Sequence, residues 1–177
     1  LKDEIDYNIF LQFVFYNQWN ELKEYANEKG IKIIGDIPIY VAEDSADTWS
    51  NSKIFLLDED KRPKVVSGCP PDGFSPDGQL WGNPIYDWEY LEKTNFKWWI
   101  KRIETSSKLY DVIRIDHFRG FESYWEVPYG EKTAVNGKWV KGPAMKLFNA
   151  VKKELGDIDI IAEDLGFLTK EVIEFRE

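Results

Sequence analysis

Three short apolar runs, each preceded by a helix-like segment and each ending in charge, restrict this chain to an alternating α/β architecture. The runs are residues 31–39 (IKIIGDIPI), 112–116 (VIRID) and 158–162 (IDIIA). A nearly continuous apolar run is how a strand buried on both faces reads. Ahead of the first, residues 9–29 place Phe10, Phe13, Val14, Trp19, Leu22, Tyr25 and Ala26 at helical spacing, and Gly30 is a C-cap. Ahead of the second, residues 95–110 put Phe96, Trp99, Ile100, Ile103 and Leu109 on one helix face. Ahead of the third, Pro143 opens a helix that Gly156 stops, and a last helix starts at Thr169. Such alternation predicts adjacent parallel strands with right-handed helical crossovers.

Each predicted strand carries its polar residues near its C-terminal end: Asp36 on the first, Arg114 and Asp116 on the second, Glu163 and Asp164 just after the third. Barrels and open sheets of this class both bind ligands at that edge. A Gly-rich phosphate loop follows none of the three, which weakens a nucleotide-binding reading. Within residues 112–121 (VIRIDHFRGF), strand alternation points Arg114 and Asp116 to one face and Ile113 and Ile115 to the other. The pair reads either as an active-site carboxylate held ionised by a guanidinium or as a structural ion pair at a strand end.

Between the runs lie long connections. Residues 41–51 predict a short helical turn, and residues 55–66 a small hairpin around Asp58 to Lys61. Residues 67–84 (SGCPPDGFSPDGQLWGNP) are so dense in Pro and Gly that helix and central strand are ruled out, leaving an ordered, lid-like loop anchored by Phe74, Leu80 and Trp81. Residues 122–142 read as a second long aromatic loop. The chain holds 8 Trp, 9 Tyr and 11 Phe, an excess that suits stacking on sugar rings, with about half of the tryptophans assignable to a core.

Net charge is −9, which argues against nucleic acid or an anionic membrane as the main partner. No apolar run is long enough to span a bilayer. Cys69 is the single cysteine and His117 the single histidine, so an intramolecular disulfide is ruled out, a zinc site is not expected, and a cytoplasmic location is. The chain opens at Leu1 on the approach to a helix and stops at Glu177 inside another, so both ends are expected to be cuts in a longer protein.

Two carboxylates on adjacent strand ends suit glycoside chemistry by the retaining route, which needs them about 5–5.5 Å apart. Asp116, with Arg114 on its own face, suits the ionised nucleophile. Glu163, after Ile160, Ile161 and Ala162, suits the acid if aromatic neighbours desolvate it. His117 and Arg119 offer hydrogen bonds to sugar hydroxyls. The plainer alternatives are a loop histidine bonded to a carbonyl and, for Glu163 and Asp164, an acid pair at a helix N-terminus.

Four ordered motifs go further: IGDIPIYVAEDSADTW, PPDGFSPDGQLWGNPIYDW, VIRIDHFRGFESYWEVP and IIAEDLG. Together they closely resemble the 4-α-glucanotransferase family (amylomaltase or disproportionating enzyme, glycoside hydrolase family 77) over essentially the whole chain. The resemblance implies a (β/α)8 TIM barrel, here partial, with the three runs as about its third to fifth strands and with long βα loops. It implies Asp116 as nucleophile, Glu163 as general acid/base, Arg114 as partner of the nucleophile and His117 as ligand of the sugar beside the cleaved bond. Asp72, Gln79 and Trp81 would fall on a mobile loop over the acceptor side, and Asp36 and Asp164 would line the site.

The partners implied are α-1,4-glucans, with no metal and no cofactor. The family's third catalytic Asp, in a His-Asp-Asn motif, has no counterpart in this chain, and Gly73 stands where the family often has Tyr. A full barrel takes about 250 residues. Residues 1–177 are therefore expected to be a fragment of the catalytic barrel that includes the active-site loop 67–84, inactive in isolation and open to self-association through exposed surfaces.

Overall fold

The computed structural model describes residues 1–165 and 168–176. In chain order the elements are α1 (Lys2–Glu28), β1 (Ile34–Pro38), α2 (Ala46–Ser50), β2 (Val65–Cys69), β3 (Gln79–Pro84), α3 (Trp88–Lys93) and α4 (Lys97–Leu109). They continue with β4 (Val112–Asp116), β5 (Ser123–Pro128), β6 (Lys138–Lys141), α5 (Met145–Leu155), β7 (Ile160–Ala162) and α6 (Lys170–Arg176). Strands β1, β4 and β7 form one parallel sheet in that order. The helices between them, α4 and α5, pack on each other. The alternation expected from sequence is therefore present, in a sheet that is open rather than closed.

A second sheet was not expected. The connections after β1 and β4 fold into a four-stranded antiparallel sheet of order β3-β2-β5-β6. Residues 67–84, expected to exclude helix and central strand, instead supply most of β2 and all of β3, and β2 is central, paired on both sides. Gly68 is compatible with this because it stands at a close approach. A Cβ on Gly68 would lie 2.4 Å from the Gln79 carbonyl oxygen, and the β2–β3 register shifts between Val66 and Gly68. Only residues 70–78 remain loop. Residues 122–142 likewise hold the hairpin of β5 and β6, with Trp125 opposite Trp139.

Burial corrects two further expectations. Strand β1 is not buried on both faces: Gly35 and Ile37 face inward while Ile34 is 58% exposed. It lies at the edge of its sheet, paired only with β4. The helix predicted from residue 9 begins at Lys2, with Asp3 and Glu4 in the first turn where the helix dipole favours acids. None of its residues is buried, and Ile5, Ile9, Phe10, Phe13 and Tyr25 are exposed. It is tied down through its second half, where the Trp19 indole donates to the Leu109 carbonyl (2.8 Å) and Asn27 and Lys23 hold Asp111. No helix of the described residues is long and apolar enough to cross a membrane.

The core is aromatic. Trp99 and Tyr86 are fully buried, with Trp88, Trp98 and Phe121 within 6.3 Å of the Trp99 ring centre. Phe118, Phe148 and Phe175 extend the cluster beneath β4 toward α6. Replacing Trp99 by alanine leaves a large void among rings that cannot collapse into it. The expected cost is about 3–5 kcal/mol of stability, to be read from urea unfolding of the full-length protein.

Candidate active site

The parallel register decides what meets at the sheet's C-terminal edge. Asp36 stands opposite Arg114, Pro38 opposite Asp116, and Ile115 opposite Ala162. Arg114 uses the adjacency, donating through one terminal nitrogen to Asp36 (2.7 Å) and through the other to Asp116 (2.9 Å). The two carboxylates, Asp36 first, raise the guanidinium above its ordinary value. Beneath them Ile113 and Ile115 are buried, as alternation requires.

The chain leaves β4 through a sharp turn. His117 adopts the left-handed conformation (φ 53°, ψ 43°), which is uncommon for a residue with a side chain. Two consequences follow. Its backbone N–H donates to Glu163 Oε2 at 2.8 Å, while Leu165 N–H donates to Oε1 at 2.7 Å, so backbone groups fix the Glu163 carboxylate beside the residue following Asp116. The Glu163 N–H in turn donates to the Ile115 carbonyl (3.1 Å), extending the β4–β7 ladder by one step.

The His117 ring turns the other way, meeting Trp81 edge to face with centroids 4.8 Å apart. Trp81 reaches it from β3, and its indole N–H donates to Gln79 Oε1 at 3.0 Å. The antiparallel sheet thus leans on the parallel one at this pair of rings. Between them opens a cleft of about 380 Å³ lined by Asp116, His117 and Trp81 with Pro38, Ile39, Tyr40 and Asn83.

The four last-named residues were not singled out from sequence. Pro38, Ile39 and Tyr40 simply continue past the end of β1, and the rule that strand C-termini line the site would have found them. Asn83 is held by bonds to the Val41 carbonyl (3.1 Å) and the Ser67 hydroxyl (3.3 Å), contacts that depend on the unexpected hairpin.

Three expected site residues are engaged elsewhere. Asp72 accepts from Phe74 N–H (2.8 Å) and Ser75 N–H (2.7 Å), so its carboxylate shapes the 70–78 turn whose tip, Phe74, is fully exposed. Asp164 pairs with Arg176 of α6 at 2.5 Å. Gln79 supports Trp81 and does not line the cleft.

His117 is 9% exposed, and burial, followed by the nearby Arg119, lowers its imidazole to about 4, with Asp116 pulling weakly the other way. The ring is therefore neutral at pH 7. Because the folded value lies below the unfolded one, the stabilisation is complete above about pH 6.5 and is lost as pH falls toward 4. The loss amounts to about 3 kcal/mol at roughly 1.4 kcal/mol per unit. Urea unfolding of the full-length protein and of a His117→Gln variant at pH 7 and pH 4 checks this: the wild type's margin over the variant shrinks by that amount in acid.

A family model described as 4-alpha-glucanotransferase matches residues 1–177. This chain belongs to that family. A 4-alpha-glucanotransferase of Clostridium butyricum is 67% identical over all of the chain, which spans 37% of that protein. One from Solanum tuberosum, named as chloroplastic/amyloplastic, is 52% identical over 99% of the chain and 31% of its own length. The amylomaltase of Streptococcus agalactiae in complex with acarbose superposes with a TM-score of 0.95 at 50% identity, over 99% of this chain and 35% of that one. The chain thus spans about a third of the length of these family members. Its four sequence motifs place their residues on β1 and the segment after it, on the 70–78 turn and β3, on β4 and β5, and on β7 and the residues that follow it.

Proposed function

We propose that the protein carrying this chain is a 4-α-glucanotransferase acting on α-1,4-glucans such as maltooligosaccharides, starch or glycogen. Asp116 attacks the anomeric carbon as the bond to the leaving 4-oxygen breaks, Glu163 delivers the proton to that oxygen, and a covalent glucosyl-Asp116 ester results. An incoming 4-hydroxyl then gives its proton to Glu163 and takes the glucosyl group, with net retention. The observation that carries this reading is the edge of the parallel sheet, where Arg114 bridges Asp36 and Asp116 while the next backbone N–H holds Glu163. No cofactor enters, since two carboxylates suffice for both steps.

Arg114 orients the nucleophile, and the neutral His117 ring in the cleft wall hydrogen-bonds a hydroxyl of the sugar bound there. Trp81 provides an apolar wall on which a sugar ring can stack. Asp36 acts through Arg114. Asp72 and Gln79 act through the hairpin, the first by shaping its turn and the second by steadying Trp81. Asp164 borders the site behind Glu163. The 70–78 turn, with Phe74 at its tip, is the proposed cover that excludes water while an acceptor sugar enters. We further propose that the chain is the middle of a (β/α)8 barrel, β1, β4 and β7 being about its third to fifth strands. In support, the strands are adjacent, parallel and linked through helices, and the chain spans a third of its relatives.

Incubating the full-length protein with maltotriose tests the reaction. Glucose together with maltopentaose and longer glucans is the expected product set, whereas glucose and maltose alone would mark a hydrolase of the same clan. The isolated 177-residue chain, with the two open edges of its parallel sheet and the exposed apolar residues of α1, is expected to self-associate and to yield neither.

A further inference from the structure

We infer that Gly120 is a positioning residue of this site, acting by leaving room for the His117 imidazole. The inference rests on the functional reading above, because it concerns how that site is kept in register. The ring has two close neighbours. One is Trp81, perpendicular to it at 4.8 Å between centroids. The other is the backbone of Gly120, in the short helical turn Phe118–Phe121 that follows β4.

A Cβ built on Gly120 would lie 3.0 Å from His117 Cδ2 and 2.8 Å from Ile39 Cδ1. Gly120 does not have a positive φ, so backbone freedom is not the reason for a glycine here. The space is. The two obstructing groups differ in what they can do. Ile39 Cδ1 is the end of an aliphatic side chain, whereas the His117 ring is rigid and also meets Trp81 edge to face, so it must shift as a whole.

Its backbone is constrained as well. The left-handed turn at residue 117 aims its N–H at Glu163, and the Gly120 N–H donates to the His117 carbonyl at 2.9 Å, closing the turn. One methyl group at residue 120 therefore presses on the residue that meets the cleft with its ring and the Glu163 carboxylate with its N–H. Displacements well under an ångström matter for groups that must face a reacting bond.

The test uses four forms of the full-length protein: wild type, Gly120→Ala, His117→Ala and the double variant. Gly120→Ala is expected to lower kcat for maltotriose disproportionation by roughly 10- to 100-fold, with a smaller change in KM. In the His117→Ala background the same substitution is expected to change kcat by less than about threefold, the non-additivity that marks action through a shared residue.

Adding Ile39→Val removes the Cδ1 obstruction, so Tm of the Gly120→Ala protein should rise toward that of Ile39→Val alone while kcat stays low. Equal losses of kcat in both His117 backgrounds, or recovery of kcat along with Tm, would overturn the proposal. A crystal structure of Gly120→Ala supplies a readout independent of turnover. The imidazole should move by a few tenths of an ångström away from residue 120, and a ring in its original place refutes the clamp whatever the activity. Absence of transfer by the wild type would overturn the functional reading instead, while the displaced ring would still establish the clamp.

Discussion

Replacing Asp116 with asparagine in the full-length protein is expected to lower glucan transfer by about four orders of magnitude or more, the scale seen when an enzyme's nucleophile is removed, while the fold stays intact. Asparagine is nearly isosteric with aspartate, and its carbonyl oxygen can still accept from Arg114, but its amide cannot form the glycosyl ester. The guanidinium is not stranded, because its second partner, Asp36, remains at 2.7 Å. The Asp116 side chain is half exposed, so the pair itself contributes under about 1 kcal/mol.

The two readings of the Arg114–Asp116 pair left open by the sequence therefore separate cleanly. A catalytic Asp116 gives an inactive protein with an almost unchanged melting temperature. A purely structural ion pair gives an active protein with a slightly lower one. Maltotriose turnover and thermal unfolding on the same preparation decide between them, and measurable transfer near the wild-type rate would remove Asp116 from the mechanism.

That pair was legible in the sequence because strand alternation is a local rule. VIRID places Arg114 and Asp116 together wherever the strand lies, and Ile113 and Ile115 are buried as required. The parallel order of β1, β4 and β7 was legible for a similar reason, since helices between strands leave few other connections. What failed was whatever depends on non-local neighbours. The apolar run of β1 read as doubly buried, but burial is set by what covers each face, and Ile34 lies on an uncovered one.

The antiparallel sheet was hidden by its own composition. Gly68, Cys69 and Pro84 read as loop, yet they are strand residues whose small or terminal positions suit close pairing. Missing that hairpin meant missing Asn83, and it left Trp81 as a loop residue rather than the ring that braces His117. The carboxylates proposed as catalytic, Asp116 and Glu163, could be read from single strand ends, whereas the walls of the cleft could not, because two sheets build them together.

Glu163→Gln is expected to lower transfer from maltotriose by roughly 100- to 10,000-fold, the contribution of a positioned general acid/base, while glycosyl-ester formation from a donor whose leaving group needs no proton loses far less. The geometry makes the choice of donor essential. Both oxygens of Glu163 accept backbone N–H groups, His117 at 2.8 Å and Leu165 at 2.7 Å. A glutamine has one carbonyl oxygen and one NH2, so in either orientation it turns a donor toward a donor. The variant therefore forfeits a hydrogen bond, at about 1–3 kcal/mol for the orphaned group, and its side chain shifts.

A rate loss with maltotriose alone would not separate missing acid catalysis from that shift. With α-glucosyl fluoride as donor, departure of fluoride needs no protonation, so a correctly placed Asp116 should still form the glycosyl ester. The expected result is a burst of fluoride comparable to wild type, followed by slow turnover because the base for the second step is missing. Adding azide, a nucleophile that needs no base, should restore turnover and yield a glucosyl azide. A Glu163→Gln protein equally slow with glucosyl fluoride and maltotriose, and unresponsive to azide, would mean that the carboxylate serves only to hold the turn at His117. Glu163 would then be a structural anchor of the edge and not its acid.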